Sequence, residues 1–185
     1  MGVHGFRRTL TGRVVLRVDA VEKGLLMTLL EQLVEFVAPE PAEAGEDPLH
    51  RLVGIAESAE RPEDPALARL FPDAYLDDSE AAADFRRFTE RSLRDTKVAQ
   101  ATTALETLRR SGEKVTLTDP EARAWLGALN DLRLALGSRL AITEDAAEEF
   151  AALPEDDPRA ATFHVYDWLT FLQDSLVRSV MPGSA

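Results

Sequence analysis

The chain has 185 residues, of which 45% are apolar and 6% aromatic, and its formal net charge at pH 7 is −12. This length suits one domain, residues 1–185, that buries roughly two-thirds of its unfolded surface in an aliphatic core. The absence of cysteine excludes disulfides, thiolate catalysis and cysteine-bound zinc within these residues. No segment has the apolar length of a membrane span or the form of a signal peptide, so we expect a cytoplasmic protein.

Charge is unevenly distributed along the chain. Residues 1–17 and 86–114 each carry +4, residues 39–85 carry −10, and residues 142–157 hold seven acidic residues and no basic one. The acidic total argues against non-specific binding of nucleic acid and leaves only a local basic patch for it. Either the acidic and basic segments neutralise one another within the fold, or they face partners.

The chain opens with the pattern of a β-hairpin. Residues 4–9 and 13–18, in which β-branched or long side chains alternate, flank a turn of Leu10, Thr11 and Gly12. Asp19 and Glu22 have the spacing of a capping box, which predicts a helix from there to about Val37.

The next segment has a different composition. Residues 38–48 are rich in proline, glutamate and alanine, which predicts a mobile acidic linker within the domain. Two short helices are expected after it, at residues 49–57 and 65–70, separated by a break that a proline marks.

Asp77 or Asp78 is expected to cap the longest helical candidate, residues 78–111. Its ~34 residues would span about 50 Å at 1.5 Å per residue, whereas a compact domain of this size is roughly 40 Å across. The apolar stripe also changes phase near residues 91–97. We therefore predict a bend, a break or a protruding middle there.

A third strand is expected at residues 113–117, beside the hairpin. Thr118 and Glu121 then form a second capping box, with a proline in the first turn, so a helix begins there and reaches about Leu140. A short acidic helix (143–153) and a final helix (159–180) complete the chain. The final helix is apolar around most of its circumference, which places it centrally or in an interface and leaves a homodimer open. These elements predict a mainly α, single-domain helical bundle with a small N-terminal antiparallel β-hairpin or three short strands.

The helix over residues 125–140 carries Arg133 in an otherwise apolar seam. A guanidinium there must meet carboxylates or carbonyls, either in an internal polar network or in a site that faces a ligand or partner. In the network interpretation, the arginines of this helix pair with acidic residues at the start of the long helix. The candidate residues for the network or site are Tyr75, Asp77, Asp78, Arg86, Asn130, Asp131, Arg133 and Arg139, with Glu80 as a further acidic partner.

The sequence contains no GxSxG, P-loop, GxGxxG or HExxH motif. His4, His50 and His164 are never one helical turn apart, so we expect no metal site. We expect neither a cofactor nor an enzyme. An enzyme built on scattered Asp, Glu and Arg side chains is the third alternative for function.

Three segments, residues 70–89, 125–140 and 168–176, resemble a family of actinobacterial proteins catalogued as a domain of unknown function. The string N-D-x-R-L-x-L-G-x-R-L, at residues 130–140, is the most specific element of a resemblance that covers nearly the whole chain. Some members are labelled transcriptional regulators. Genes of the family often lie beside a Clp protease adaptor, a JAMM-type metallopeptidase and a sulfur-carrier/cysteine-synthesis pair, which implies a link to regulated proteolysis or sulfur metabolism.

Two hypotheses for function lead. The first is a non-enzymatic interaction or regulatory adaptor protein that binds a protein partner through its charged faces. The alternative is a transcriptional regulator that binds DNA through the N-terminal arginines or through a local basic patch. The patch would consist of Arg87, Arg91, Arg94 and Lys97.

Overall fold

A computed structural model describes residues 5–39, 61–75, 77–142, 150, 153–154 and 157–181. This part of the chain forms five helices and one three-stranded sheet, so the predicted mainly α fold with a small antiparallel sheet is confirmed. The elements are β1 (Phe6–Arg8), β2 (Val14–Arg17), α1 (Ala20–Val37), α2 (Pro65–Leu70), α3 (Ser79–Arg109), β3 (Lys114–Leu117), α4 (Asp119–Arg139) and α5 (Pro158–Val180).

The sheet has the order β1-β2-β3, and both strand pairs are antiparallel. The predicted hairpin and the third strand beside it are therefore confirmed. Phe6, Leu16 and Val115 are register partners, and all three side chains are buried in the core. Because side chains alternate along a strand, the residues that adjoin these three along their own strands lie on the opposite face of the sheet.

Capping side chains start the helices where the sequence predicts. Asp19 and Glu22 form the capping box of α1, and Thr118 and Glu121 form that of α4. Asp78 caps α3 by accepting a hydrogen bond from the backbone N–H of Ala81. Each cap satisfies N–H groups that the first turn of a helix leaves without partners.

The long helix is unbroken, so the prediction of a break near residues 91–97 is wrong. α3 runs for 31 residues from Ser79 to Arg109, about 46 Å at 1.5 Å per residue. Its buried apolar side chains lie mostly after residue 100, in the half that packs into the core. The helix continues through the polar stretch because Arg94 and Lys97 find partners on other segments. These contacts offset the weak helix propensity of Ser92, Asp95 and Thr96.

The core lies between the sheet and helices α1, α3, α4 and α5. Trp125 on α4 is fully buried, its ring meets Phe6 edge-on at 5.5 Å between centroids, and its indole N–H donates to Thr107 Oγ1. α5 packs against α4 and β1. Three leucines of α5 are buried and its described aromatic and valine side chains are half-buried, so a homodimer interface remains a prediction.

Several predicted elements lie outside the described residues. These are most of the acidic linker, the helix at 49–57 and most of the acidic helix at 143–153. No helix in the part of the chain that the structure describes is long and apolar enough to cross a membrane.

Candidate functional site

A cluster of charged side chains follows one face of α3 and connects it to three other segments. Arg86, Glu90, Arg94 and Lys97 are spaced four, four and three residues apart, which places them on the same side of the helix. Residues from α4 and from the segment before α3 complete the group. The charged cluster consists of Asp73, Arg86, Glu90, Arg94, Lys97 and Asp131.

Arg86 begins the cluster and is almost fully buried, with 7% of its side chain exposed. Its guanidinium donates to Asp73 Oδ1 at 2.6 Å, Glu90 Oε2 at 2.6 Å and the carbonyl oxygen of Phe71 at 3.1 Å. Burial opposes the charged form, but the hydrogen bonds to Asp73 and Glu90 outweigh it and raise the pKa of Arg86. Arg86 therefore stays charged and fixes residues 71–73 against α3.

Arg94 connects α3 to the end of α1. Its Nε donates to Glu90 Oε1 at 2.9 Å, and its NH1 donates to the carbonyl oxygens of Val37 and Ala38 at 3.3 Å. These carbonyls belong to the end of α1, where the last turn lacks partners and the helix dipole is negative. The guanidinium also lies 4.3 Å from the ring centroid of Phe71, which adds a cation–π contact.

Lys97 and Asp131 form the innermost ion pair. Lys97 Nζ donates to Asp131 Oδ1 at 2.7 Å, and only 13% and 3% of the two side chains are exposed. The other oxygen, Oδ2, is buried and has no hydrogen-bond partner among the described residues. Burial raises the pKa of Asp131 against the opposing effect of Lys97. Ionisation of this carboxylate therefore carries a desolvation cost that one lysine only partly offsets.

The arginines of α4 do not make the contacts predicted for them. Arg133 donates from Nε to Thr170 Oγ1 at 2.9 Å and from NH1 to Gln173 Oε1 at 2.7 Å, both on α5. Arg139 is exposed and lies over the ring of Phe36 at 5.2 Å. Their predicted pairing with the acidic residues before and within the first turn of α3 is wrong, because α4 directs these two side chains toward α5 and α1.

The remaining predicted residues are not members of the charged cluster. Asn130 is half-buried next to Asp131, and Asp77 is exposed. Arg87 NH1 lies 3.7 Å from Asp84 Oδ1, and the Arg91 side chain is half-buried. Arg94 and Lys97 are turned into the cluster, so the four residues of the predicted basic patch do not share one solvent-facing surface.

Sequence reasoning missed Asp73, Glu90 and the ring of Phe71. Glu90 carried a usable signal, since it lies four residues after Arg86 and four before Arg94, the spacing of helical ion pairs. Asp73 and Phe71 carried none, because only the tertiary structure brings this segment against α3.

Next to the cluster, apolar side chains are exposed on the first half of α3. Tyr75 is 51% exposed, Phe85 48%, Phe88 59% and Leu93 39%. The rings of Tyr75 and Phe85 meet edge-on at 6.2 Å between centroids. A groove of about 370 Å³ lies between residues 71–74 and α3, with Phe85 and Leu93 in its lining. We call the four side chains the exposed apolar patch.

Fold and site together define a mainly α protein in which a buried charged cluster joins the helices. The chain belongs to the family described as a domain of unknown function, DUF2017, whose model matches residues 3–180. The predicted family membership is thus confirmed.

Curated relatives from mycobacteria are similar over most of the chain. The protein named oxidative stress regulator AosR in Mycobacterium tuberculosis H37Rv is 37% identical over 174 residues, which covers 86% of this chain and 78% of the relative. The putative oxidative stress regulator AosR of Mycobacterium leprae is 38% identical over 174 residues, covering 86% and 79%. No solved structure matches the chain.

Proposed function

We propose that this chain is a non-enzymatic regulatory protein that acts by binding a protein partner through the exposed apolar patch. The observation that carries the proposal is the grouping of four large apolar side chains, each more than a third exposed, on the first half of α3 and the segment before it, with the rings of Tyr75 and Phe85 in edge-on contact. Single exposed apolar residues are common, whereas contiguous patches mark interaction surfaces.

The surroundings of the patch suggest the chemistry of the partner. Asp77, Asp78, Glu80 and Asp84 are all exposed near the start of α3. Acidic side chains at one end of an apolar surface favour a partner segment that carries basic side chains next to its apolar ones. The charged cluster supports this role by holding Phe71 and Asp73 against α3, so that the patch is preorganised.

The names of the relatives support a role in the response to oxidative stress. These 185 residues contain no cysteine, so a response by this chain cannot begin with oxidation of one of its own thiols. We propose that the chain conveys the stress signal through its partner.

The gene neighbourhood implied by the family resemblance directs the search for that partner to Clp-type proteolysis and sulfur metabolism. The DNA-binding alternative has less support. Arg94 and Lys97 are engaged within the charged cluster, and the net charge of −12 repels duplex DNA.

The test is complementation of a strain from which the gene is deleted. We expect the deletion to lower survival after peroxide exposure and the wild-type gene to restore it. The Phe85→Ser/Phe88→Ser variant should not restore survival, although its melting temperature should remain close to that of the wild type because both side chains are exposed.

The matched control is Leu10→Ser/Val21→Ser, which removes two exposed apolar side chains far from the patch. This control should complement fully. Two results would overturn the proposal: a deletion strain with normal survival, or full complementation by the Phe85/Phe88 variant. Crosslinking in the same strains should identify a partner that the wild type and the control retain and the patch variant loses.

A further inference from the structure

The sheet has an outer face that bears three cationic side chains. Arg7, Val15 and Thr116 share one rung of the sheet, and Arg17 is the register partner of Lys114 two residues along. Since side chains alternate between the two faces, these five residues lie opposite the core-facing side. We call them the basic sheet face.

The cations of the basic sheet face have no partner in the part of the chain that the structure describes. Arg7, Arg17 and Lys114 are exposed, and none makes an ion pair or a hydrogen bond there. Asp19 and Glu113 border a small cavity beside Arg17 and Lys114 but lie beyond ion-pair distance.

Some of the other exposed arginines in the described residues pair with carboxylates. Arg109 pairs with Glu31 at 2.8 Å, and Arg110 pairs with Glu121 at 2.6 Å. In a chain with 33 acidic and 21 basic residues, acidic partners are in excess. Five further arginines are also exposed without an ion pair in that part of the chain: Arg8, Arg13, Arg69, Arg123 and Arg178. The sheet face is therefore distinguished by its grouping of three cations on adjacent strands.

The register makes the arrangement unfavourable for the isolated protein. Arg17 and Lys114 are direct cross-strand neighbours, and like charges in that position destabilise a sheet. Val15, at the centre of the face, is only 4% exposed, so the accessible part of the face consists of the side chains around it, with the cations on the strands themselves. An anion bound across the strands would relieve the repulsion.

We propose that the basic sheet face binds an acidic segment of a partner protein. A short segment responds mainly to charges within a Debye length, about 8 Å at physiological salt, and so meets the local cations. A longer duplex polyanion is also exposed to repulsion by the chain as a whole, whose net charge is −12. No side chain of this face is aromatic, so it offers no stacking surface for bases.

This surface is separate from the exposed apolar patch. Phe85 precedes the end of α3 by 24 residues, about 36 Å at 1.5 Å per residue, and it is the end of α3 that leads into β3. Binding at the sheet can therefore fail or succeed independently of the function proposed for the patch.

The experiment measures binding of a fluorescein-labelled peptide of six glutamates alternating with six serines by fluorescence anisotropy, at 50 and 150 mM salt. The test variant is Arg7→Ser/Arg17→Ser/Lys114→Ser. We expect it to bind at least about tenfold more weakly than the wild type at 50 mM salt, because it lacks three charge contacts that each contribute a few-fold. Affinity of the wild type should fall at the higher salt.

The matched control is Arg61→Ser/Arg109→Ser/Arg110→Ser, which removes the same charge from exposed positions elsewhere. It should bind the peptide within about threefold of the wild type. Equal losses of peptide affinity in the two variants would show that the effect comes from net charge alone and would overturn the proposal. A wild type that does not bind the peptide would also overturn it.

Two other occupants are tested with the same proteins. A labelled 20-base-pair duplex that binds as tightly as the peptide, and loses affinity in the sheet variant, would replace the acidic segment with nucleic acid. Sedimentation of the wild type as a dimer and of the sheet variant as a monomer would assign the face to a second copy of the chain. Weak duplex binding and an unchanged sedimentation coefficient are expected.

Discussion

Lys97 on α3 donates a 2.7 Å hydrogen bond to Oδ1 of Asp131 on α4, while Oδ2 of the same carboxylate has no partner among the described residues. The pair joins α3 to α4, and its two residues are 34 positions apart in sequence. Because both side chains are largely buried, the stability of the protein depends on the pair remaining complete.

Lys97→Met should therefore destabilise the protein strongly. It leaves the buried carboxylate of Asp131 without its cation, a change that costs about 3–5 kcal/mol in comparable buried pairs. The double variant Lys97→Met/Asp131→Leu should recover most of the loss, since no buried charge remains. Urea unfolding measures both. Lys114→Met, at an exposed and unpaired lysine, should change the unfolding free energy by less than about 0.5 kcal/mol, and an equal effect at the two lysines would contradict the prediction.

The pH dependence of stability should carry the signature of Asp131. Burial raises its pKa in the folded state, so the folded state holds this proton more tightly than the unfolded state does. The resulting stabilisation is complete below the ordinary carboxyl pKa of about 3.9 and is lost as pH rises through the raised value.

Asp131→Asn removes this titrating group, so comparing the unfolding free energies of wild type and variant across pH measures its contribution. The unfolding free energy of the wild type minus that of the variant should fall as pH rises from 4 toward neutrality. If this difference rises instead, the attraction of Lys97 outweighs the desolvation of the carboxylate.

Arg133→Ala and Arg139→Ala should differ in their effects on thermal melting. Arg133 makes two hydrogen bonds to α5, and their loss should cost about 1–3 kcal/mol. Arg139 contributes an exposed cation–π contact, whose loss should cost no more than about 1 kcal/mol. An unchanged melting temperature for Arg133→Ala would instead support the interpretation that Arg133 faces a partner.

Ala141→Gly should stabilise the protein. Ala141 has a φ of 50° just after α4, a left-handed conformation that glycine adopts without steric cost. The hydrogen bond from the backbone N–H of Ile142 to the carbonyl of Gly137 fits the helix ending in which glycine is usual. We expect a gain of about 0.5–1 kcal/mol after the entropy of the unfolded chain is counted. Ala161→Gly, within α5, should instead lose about 1 kcal/mol; a loss at both positions would show that the φ of Ala141 is not strained.

Local sequence determined where the elements begin and pair. The capping boxes at Asp19 and Thr118, the hairpin and the third strand were all readable, because each depends on residues within a few positions of one another. The same local reasoning failed over residues 91–97. The stretch looked like a break because Leu93 is its only apolar residue. α3 nevertheless continues through it, and two of its charges are satisfied by segments distant in sequence.

The identity of the buried charge was decided by tertiary structure alone. The sequence drew attention to Arg133 in its apolar seam, yet the charge that α4 buries is Asp131, two residues earlier. Two residues along a helix correspond to a rotation of about 200°, so the packing of α3, α4 and α5 decides which side chain faces the interior. Composition and periodicity fix the helices and their apolar stripes, whereas the pairing of a charge depends on which distant residue the fold places opposite it.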